Sequence, residues 1–417
     1  MLQKYTLCYA SWWAYYCLSQ TSGCGKLTFM KILTVDIGTG TQDIYLYNSD
    51  LDMENNFKLV VPSPTMIVSQ QIKQATKLGE AILLTGVTMG GGPSSWATEA
   101  HLRAGLKVYA TAEAARTFND DLDAVQDMGI VIVSEDETGR LPETVRQLRL
   151  ADFNFSAITN AFKSFGISLT GLSAVAVGVF DHGNAPAGIS DRQFRFDYLD
   201  RRIRELNRLS AFAYRVEQVP IIMTRLQAVV DTARDIDAPV VVMDTAPAAV
   251  LGSTLDPKVS IRERVIIANV GNFHTLAFRM ASNGIEGLFE HHTGFVDREK
   301  LDKLLRNLAE GTIRREDVFN DQGHGALMYS SSSIKLGVGD YDVVITGPRR
   351  GMFQPTRAGA NKQLLRPYFP APFGDMMITG CFGLLAAAAD LLPNLSEPIR
   401  ASLHNKAGKG VAPWDVE

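Results

Sequence analysis

Two sets of three short apolar runs, each broken by the same kind of turn, dominate the hydrophobic pattern of the chain. "KILTVDI", "TQDIYLYN" and "FKLVVPS" follow one another from Lys31; "RVIIANV", "HTLAFRM" and "IEGLFEHH" do so from Arg264. Alternating or β-branched residues bounded by turn formers predict strands, and three in succession predict an antiparallel meander. In both sets the first turn is glycine-centred: "VDIGTG" at Val35 to Gly40 and "ANVGNFHT" at Ala268 to Thr275. Asp36 stands in the first where Asn269 stands in the second. After the second set, "DREKLDKLLRNLAEG" puts Leu301, Leu304, Leu305 and Leu308 on one helical face, with Asp297 as N-cap and Gly311 at the end. A strand, "YDVVITG", follows. The apolar run Met376 to Leu392 is short for a membrane span and contains Gly380, Gly383 and Asp390, so it predicts a buried helix.

The first half holds more. Residues 65 to 170 predict an inserted α/β subdomain, including a strand that runs into Gly90, Gly91 and Gly92, and then a helix with Ser94 or Ser95 as N-cap. Three consecutive glycines suit close approach by a ligand or simply a loop before a capped helix. "LSAVAVGVFDHG" and "APVVVMDTAPAAVLG" read as buried strands ending in Asp181 and Asp244. Between them "DRQFRFDYLDRRIRELNRL" predicts a helix with Leu199, Ile203 and Leu206 as its apolar stripe and its arginines as a solvated face. The expected domains are a first one at 30–256 with the insertion, and a second at 257–417. The expected architecture is α/β with two duplicated halves flanking a cleft.

Composition narrows the function classes. At 417 residues, 46% hydrophobic and 21% charged, the chain supports two ordinary cores. A net charge of −4 provides no basic field for nucleic acid or an anionic membrane surface, so neither is expected as a partner. Cys8, Cys17 and Cys24 precede Met30, leaving Cys381 alone in the remaining chain, as in a cytoplasmic, disulfide-free protein. The first 29 residues read as a disordered extension or a misassigned start, because "MKILTVDIGTG" sets the first strand directly after a methionine.

Five segments in order resemble the actin, heat-shock chaperone and sugar-kinase superfamily of ATP-binding proteins. "VDIGTGTQD" is similar to its first phosphate loop, "DTAPAAVLGSTLD" to its first connecting helix and "IANVGNFHT" to its second phosphate loop. "VVITGPRRG" is similar to its adenosine loop and "TGCFGLLAAAA" to its second connecting helix. Within that superfamily "VFDHGNAP", "ANVGNFHTLAF" and "FEHHTG" resemble a family labelled pyruvate formate-lyase activating enzyme-like. The resemblance implies duplicated ribonuclease H-like, actin-like ATPase domains and binding of ATP or ADP with Mg²⁺. The label's literal chemistry is excluded, since a radical-SAM activator needs three closely spaced cysteines and no Cys-x3-Cys-x2-Cys is present.

On this resemblance Gly38, Gly40 and Gly271 let backbone N–H groups approach phosphates, with Thr39, Thr41, Thr275 and Asn272 beside them. Asp36 is the expected Mg²⁺ residue, and Gly347, Pro348 and Gly380 the adenosine contacts. Asn269 carries no charge and cannot act as a base, which favours binding over hydrolysis. His274 either touches a phosphate or packs beneath the turn. Asp181, just past a buried strand, is the candidate general base for phosphoryl transfer, or else a turn former. His182, Glu290, His291 and His292 form a candidate zinc, iron or manganese site with it, although neighbouring histidines on a strand point to opposite faces. His324, in "DQGHGA", is a candidate lid residue. Three functions follow: a phosphotransferase acting on a small metabolite, a non-catalytic nucleotide-responsive module with a protein or self partner, or a metal-dependent enzyme.

Overall fold

The computed structural model describes residues 30–186, 188–354, 364–405, 409–412 and 414. The expectations for the first 29 residues, including Cys8, Cys17 and Cys24, lie outside them. The meander β1 (Lys31–Ile37), β2 (Thr41–Asn48) and β3 (Phe57–Pro62) leads through helix α1 (Pro64–Leu78) to β4 (Ile82–Gly86), α2 (Pro93–Arg103), β5 (Val108–Thr111), β6 (Ile130–Val133) and β7 (Arg146–Leu150). These four strands make a separate parallel sheet in the order β6-β5-β4-β7, within the stretch expected to be inserted. The chain then returns through β8 (Ala174–Val179), α3 (Asp191–Glu205), β9 (Ala213–Arg215), α4 (Thr224–Thr232), β10 (Val240–Asp244) and α5 (Thr245–Ser253). A second series follows: β11 (Arg264–Val270), β12 (His274–Ala281), β13 (Gly284–His292), α6 (Arg298–Glu310), β14 (Gly325–Met328), β15 (Val343–Thr346), β16 (Pro367–Tyr368) and α7 (Thr379–Leu391).

The two larger sheets repeat one plan. Their orders are β3-β2-β1-β8-β10-β9 and β14-β13-β12-β11-β15-β16. In each, the first strand pairs antiparallel with its meander and parallel with a later strand, β8 in one and β15 in the other. Such central strands are covered on both faces, which explains their near-continuous apolar runs. Leu33 and Val35 feed one core while Ile32 feeds another; Ile266 and Ala268 divide from Val265 and Ile267 in the same way.

The connecting helices tie the halves together by exchange. Helix α7, which follows the second sheet, packs Phe382 and Leu385 with Ile32, Tyr45 and Val241 of the first. Helix α5, which follows the first sheet, packs Ala246 and Val250 with Ile267 and Phe278 of the second. They cross backbone to backbone: a Cβ at Gly252 would fall 1.8 Å from the Thr379 carbonyl oxygen, and one at Gly383 1.8 Å from that of Ala248. Glycine is the only residue that fits either place.

Several expectations need correction. Helix α2 begins at Pro93 with Gly92 as N-cap, so neither Ser94 nor Ser95 caps it. Proline's fixed φ suits the first helical position, and Ser94 is left buried, its N–H bonded to Thr65. Arg195 is not on a solvated face: it is 1% exposed, whereas Leu206, outside α3, is 37% exposed. The apolar face of α3 is Phe196, Leu199 and Ile203. Asp297 and Gly311 do cap α6 as expected, the glycine at φ 74°. Among the described residues no helix is long and apolar enough to cross a membrane.

Candidate functional site

The glycine turns are equivalent in their bonding. Gly38 N–H donates to Thr41 O at 2.9 Å, and Gly271 N–H donates to His274 O at 2.9 Å. Strand register then equates Asp36 with Asn269 and, across each hairpin, Asp43 with Leu276. Both acidic positions of the pair of turns therefore belong to the first half. The loops meet at their tips, where a Cβ on Gly40 would lie 3.1 Å from Asn272 Nδ2.

Between the sheets lies a cleft bordered by both glycine turns. Asp36, Gly38, Thr39, Gly40 and Thr41 line one wall; Asn269, Gly271, Asn272, His274, Gly347, Pro348 and Gly380 line the rest. Thr275 does not reach it. Strand alternation turns that side chain away from the face of His274, and its hydroxyl shares a 2.9 Å hydrogen bond with Thr293. Gly347, at φ 95°, would place a Cβ 2.5 Å from Asn269 Oδ1, and Gly380 one 1.8 Å from Asp36 Oδ2. These two glycines thus let the loop after β15 and the start of α7 close on the strand ends.

Sequence reasoning overlooked Asp43, Thr245 and Arg350 in this wall. Asp43 faces Asp36 directly across β1 and β2, a placement legible only once strand register is known. Burial, with the Asp244 charge adding to it and a hydrogen bond from Thr245 opposing it, pushes the Asp36 carboxyl up to about 7. Burial followed by the charge of Asp36 does the same for Asp43, also to about 7. Asp43 Oδ1 is buried with no hydrogen-bond partner. The pair is short of positive charge, and a hard divalent cation is a natural complement to it.

A second cavity adjoins the first, sharing Gly38, Thr39, Phe180, Arg225, Phe273 and His274 with it. The glycine run borders it, but the approach those glycines permit is by the protein itself. A Cβ at Gly90 would lie 2.4 Å from Arg225 Nη2, and one at Gly92 2.6 Å from the Phe273 ring. Arg225 in turn forks onto Asp152 at 2.6 and 3.0 Å. Asp181 also borders this cavity, with a carboxylate already occupied: it accepts N–H bonds from Gly183 (2.8 Å), Arg225 (3.0 Å) and Leu226 (2.9 Å). Burial outweighs those bonds and holds its carboxyl at about 6. Three backbone donors make it a fastening for the start of α4 more than a free proton acceptor.

The histidines sort differently from the expected set. His291 is fully buried on the far face of β13, with Nε2 3.3 Å from Asp321, while His292 turns toward His274. Glu290 is committed to Arg195, which bridges it (2.8 Å) and Asp244 (2.7 Å) in the interior. His324 is not a lid residue: it is fully buried, its N–H bonded to Glu290 O as the chain enters β14. His182, His274 and His324 come together instead.

The sequence profile of the family described as "Putative pyruvate format-lyase activating enzyme (DUF1786)" matches residues 89–352, well over half of the chain. The chain belongs to the DUF1786 family. The profile takes in the glycine run, Asp181, the second turn and all the clustered histidines of this DUF1786 protein. The matched residues contain no cysteine, so the ligands of a radical-SAM iron–sulfur cluster are missing from the very region that carries the description. A search of curated proteins finds no match. Among solved structures, an exopolyphosphatase-like protein matches over 63% of this chain and 51% of its own length, with 8% identity and a TM-score of 0.20. The match thus spans about half of that protein, and a score so low supports no statement about this one.

Proposed function

We propose that this DUF1786 protein is built from two ribonuclease H-like, actin-like halves, binds ATP or ADP with Mg²⁺ in the cleft between them, and transfers a phosphoryl group to a small molecule held in the adjoining cavity. One observation carries the reading: two turns with the same internal hydrogen bond converge on a single cleft that also holds the Asp36–Asp43 pair. The repeated sheet plan and the exchanged helices support the fold.

The residues suit the ligand. Thr39, Thr41 and Asn272 bring neutral donors to the cleft and Arg350 a cation. The unpartnered Asp43 oxygen beside Asp36 fits a hard cation. Mg²⁺, when bound, supplies charge neutralisation at the phosphates. In phosphoryl transfer most of the rest is positioning, which the hairpins, held at both ends by sheet registers, provide. Asp181 fastens Arg225 and α4 where the two cavities meet, and so shapes the acceptor pocket. Asn269 and Leu276 leave the second turn without a carboxylate, which favours transfer or binding over hydrolysis by water. The same pair favours a second reading, a nucleotide-responsive module whose closure acts on a partner.

Calorimetric titration of the full chain with ATP and ADP, with and without Mg²⁺, tests the proposal. Micromolar, Mg²⁺-dependent binding supports it, and no heat at millimolar nucleotide refutes it. A screen of phosphate acceptors with the binding-competent protein then separates transferase from module.

A further inference from the structure

Four imidazoles meet beside the two cavities, His274 lining both and His182 the second. His182 follows β8, His274 closes the second glycine turn, His292 ends β13 opposite His274, and His324 precedes β14. Ring centroids lie 5.1 Å apart for His182 and His274, 5.4 Å for His182 and His324, and 5.2 Å for His274 and His324. His292 stands 4.9 Å from His274 and 4.8 Å from His324. One ring nitrogen from each of His182, His274 and His324 falls within 4.8 Å of the others.

Packing alone does not account for this convergence. Both ring nitrogens of fully buried His324, and Nε2 of His274, have no hydrogen-bond partner. Leaving such buried groups unmet is unfavourable, because they have given up water for no partner. Burial lowers the proton affinity of His182, His274 and His324, which favours the neutral imidazole that binds metals. The charge acting on all three rings is that of Arg195, which is itself paired to Asp244 and Glu290, so the donor set, and not the surrounding field, is what suits a metal. Glu290 Oε1 lies 3.8 Å from His324 Nδ1, near but beyond hydrogen-bond reach.

We propose that His182, His274 and His324 bind one borderline first-row divalent ion of the zinc type, with His292 alongside, beside the two cavities. Tetrahedral ligands at 2.0–2.1 Å from zinc stand about 3.3 Å apart, so small ring rotations close the set. Three imidazoles leave a fourth position for His292, water or a substrate oxygen. Because His182 and His274 border the second cavity, an ion there faces the acceptor pocket and polarises an oxygen bound in it. This site is separate from the Asp36–Asp43 pair, and its test reads metal rather than nucleotide.

The full chain, stripped with chelator and desalted, is titrated with Co²⁺ while its visible d–d absorption is followed, and Zn²⁺ is then added to displace the Co²⁺. One equivalent with intense, tetrahedral-type bands is expected. His274→Ala and His324→Ala should each weaken Co²⁺ binding tenfold or more, whereas His291→Ala, on the far face of β13, should not. Should the variant at buried His324 fail to fold, His182→Asn together with a Zn²⁺-dependent rise in the melting temperature of the unaltered chain decides the matter. Absence of stoichiometric Co²⁺ binding, or binding unchanged in His274→Ala and His182→Asn, overturns the site and leaves water as the partner of the buried nitrogens. A parallel Mg-ATP titration keeps the two readings apart, since either can fail while the other stands.

Discussion

Replacing Gly252 or Gly383 with alanine tests the way the two halves are joined. Either Cβ would lie 1.8 Å from a carbonyl oxygen of the opposing helix, about 1.2 Å inside the 3.0 Å that Cβ atoms keep from other atoms. The obstacle is backbone, so no rotamer change relieves it and α5 and α7 must separate. Overpacking of this kind costs roughly 1–3 kcal/mol. A gap on the order of 1 Å forfeits up to about half of each dispersion well along the crossing, which places the cost near 3 kcal/mol. Alanine gains about 1 kcal/mol over glycine in a helix interior, leaving a net loss of about 2 kcal/mol for each variant. Once one alanine has spread the helices, the second meets less resistance, so the double variant should lose less than the sum. Thr245 on α5 and Gly380 on α7 both touch Asp36, so nucleotide affinity should fall in parallel. Urea midpoints of the four proteins, read by circular dichroism, measure the effect. Single variants as stable as the parent would mean that the helices do not cross at these glycines, and strict additivity would mean that the two positions share no contact.

Three further outcomes are expected. Asp36 and Asp43, near 7 when folded against 3.8 for a free carboxyl, keep protons that the unfolded chain has lost. Their contribution to Mg²⁺-free stability therefore falls as pH rises from about 4 to about 7 and levels off above. Asp36→Asn should accordingly gain on the parent as pH rises through that window, and a urea series showing the opposite trend contradicts the pairing. Arg195→Met strips the buried Asp244 and Glu290 of their partner and should cost about 3–5 kcal/mol, whereas a loss in urea midpoints equivalent to under about 1 kcal/mol would show that the triad is solvated. Asp181→Asn turns one of the two acceptor oxygens into a donor, so that either the Gly183 N–H or those of Arg225 and Leu226 lose their acceptor, and it should cost about 1–3 kcal/mol without any substrate present; unchanged thermal stability with abolished turnover would restore Asp181 as the base.

The two glycine turns, the meanders around them and the helix Arg298–Glu310 were all legible in the chain because each depends on local chemistry: residue alternation, φ freedom and capping. Most of the cleft followed from the same signals, since a strand ending in a glycine turn must present that turn at the sheet edge. Asp43 was not legible, because its role comes from facing Asp36 across a hairpin. Arg195 looked like one more solvated arginine, since nothing nearby in sequence announces the two carboxylates that bury it. The glycine run was legible as a place of close approach, but what approaches is supplied by α4 and the second turn, far along the chain.

The sequence by itself determined where the two meanders, their glycine turns and the caps of α6 fall, that the plan is repeated, and that the second turn lacks its acid. Only the tertiary structure decided which helix serves which sheet, that His324 is buried beside His182 and His274, and that His291 turns away while His292 turns in. The reason is physical: local propensities act over a few residues, whereas these meetings join positions scores to hundreds of residues apart through burial that no segment achieves alone.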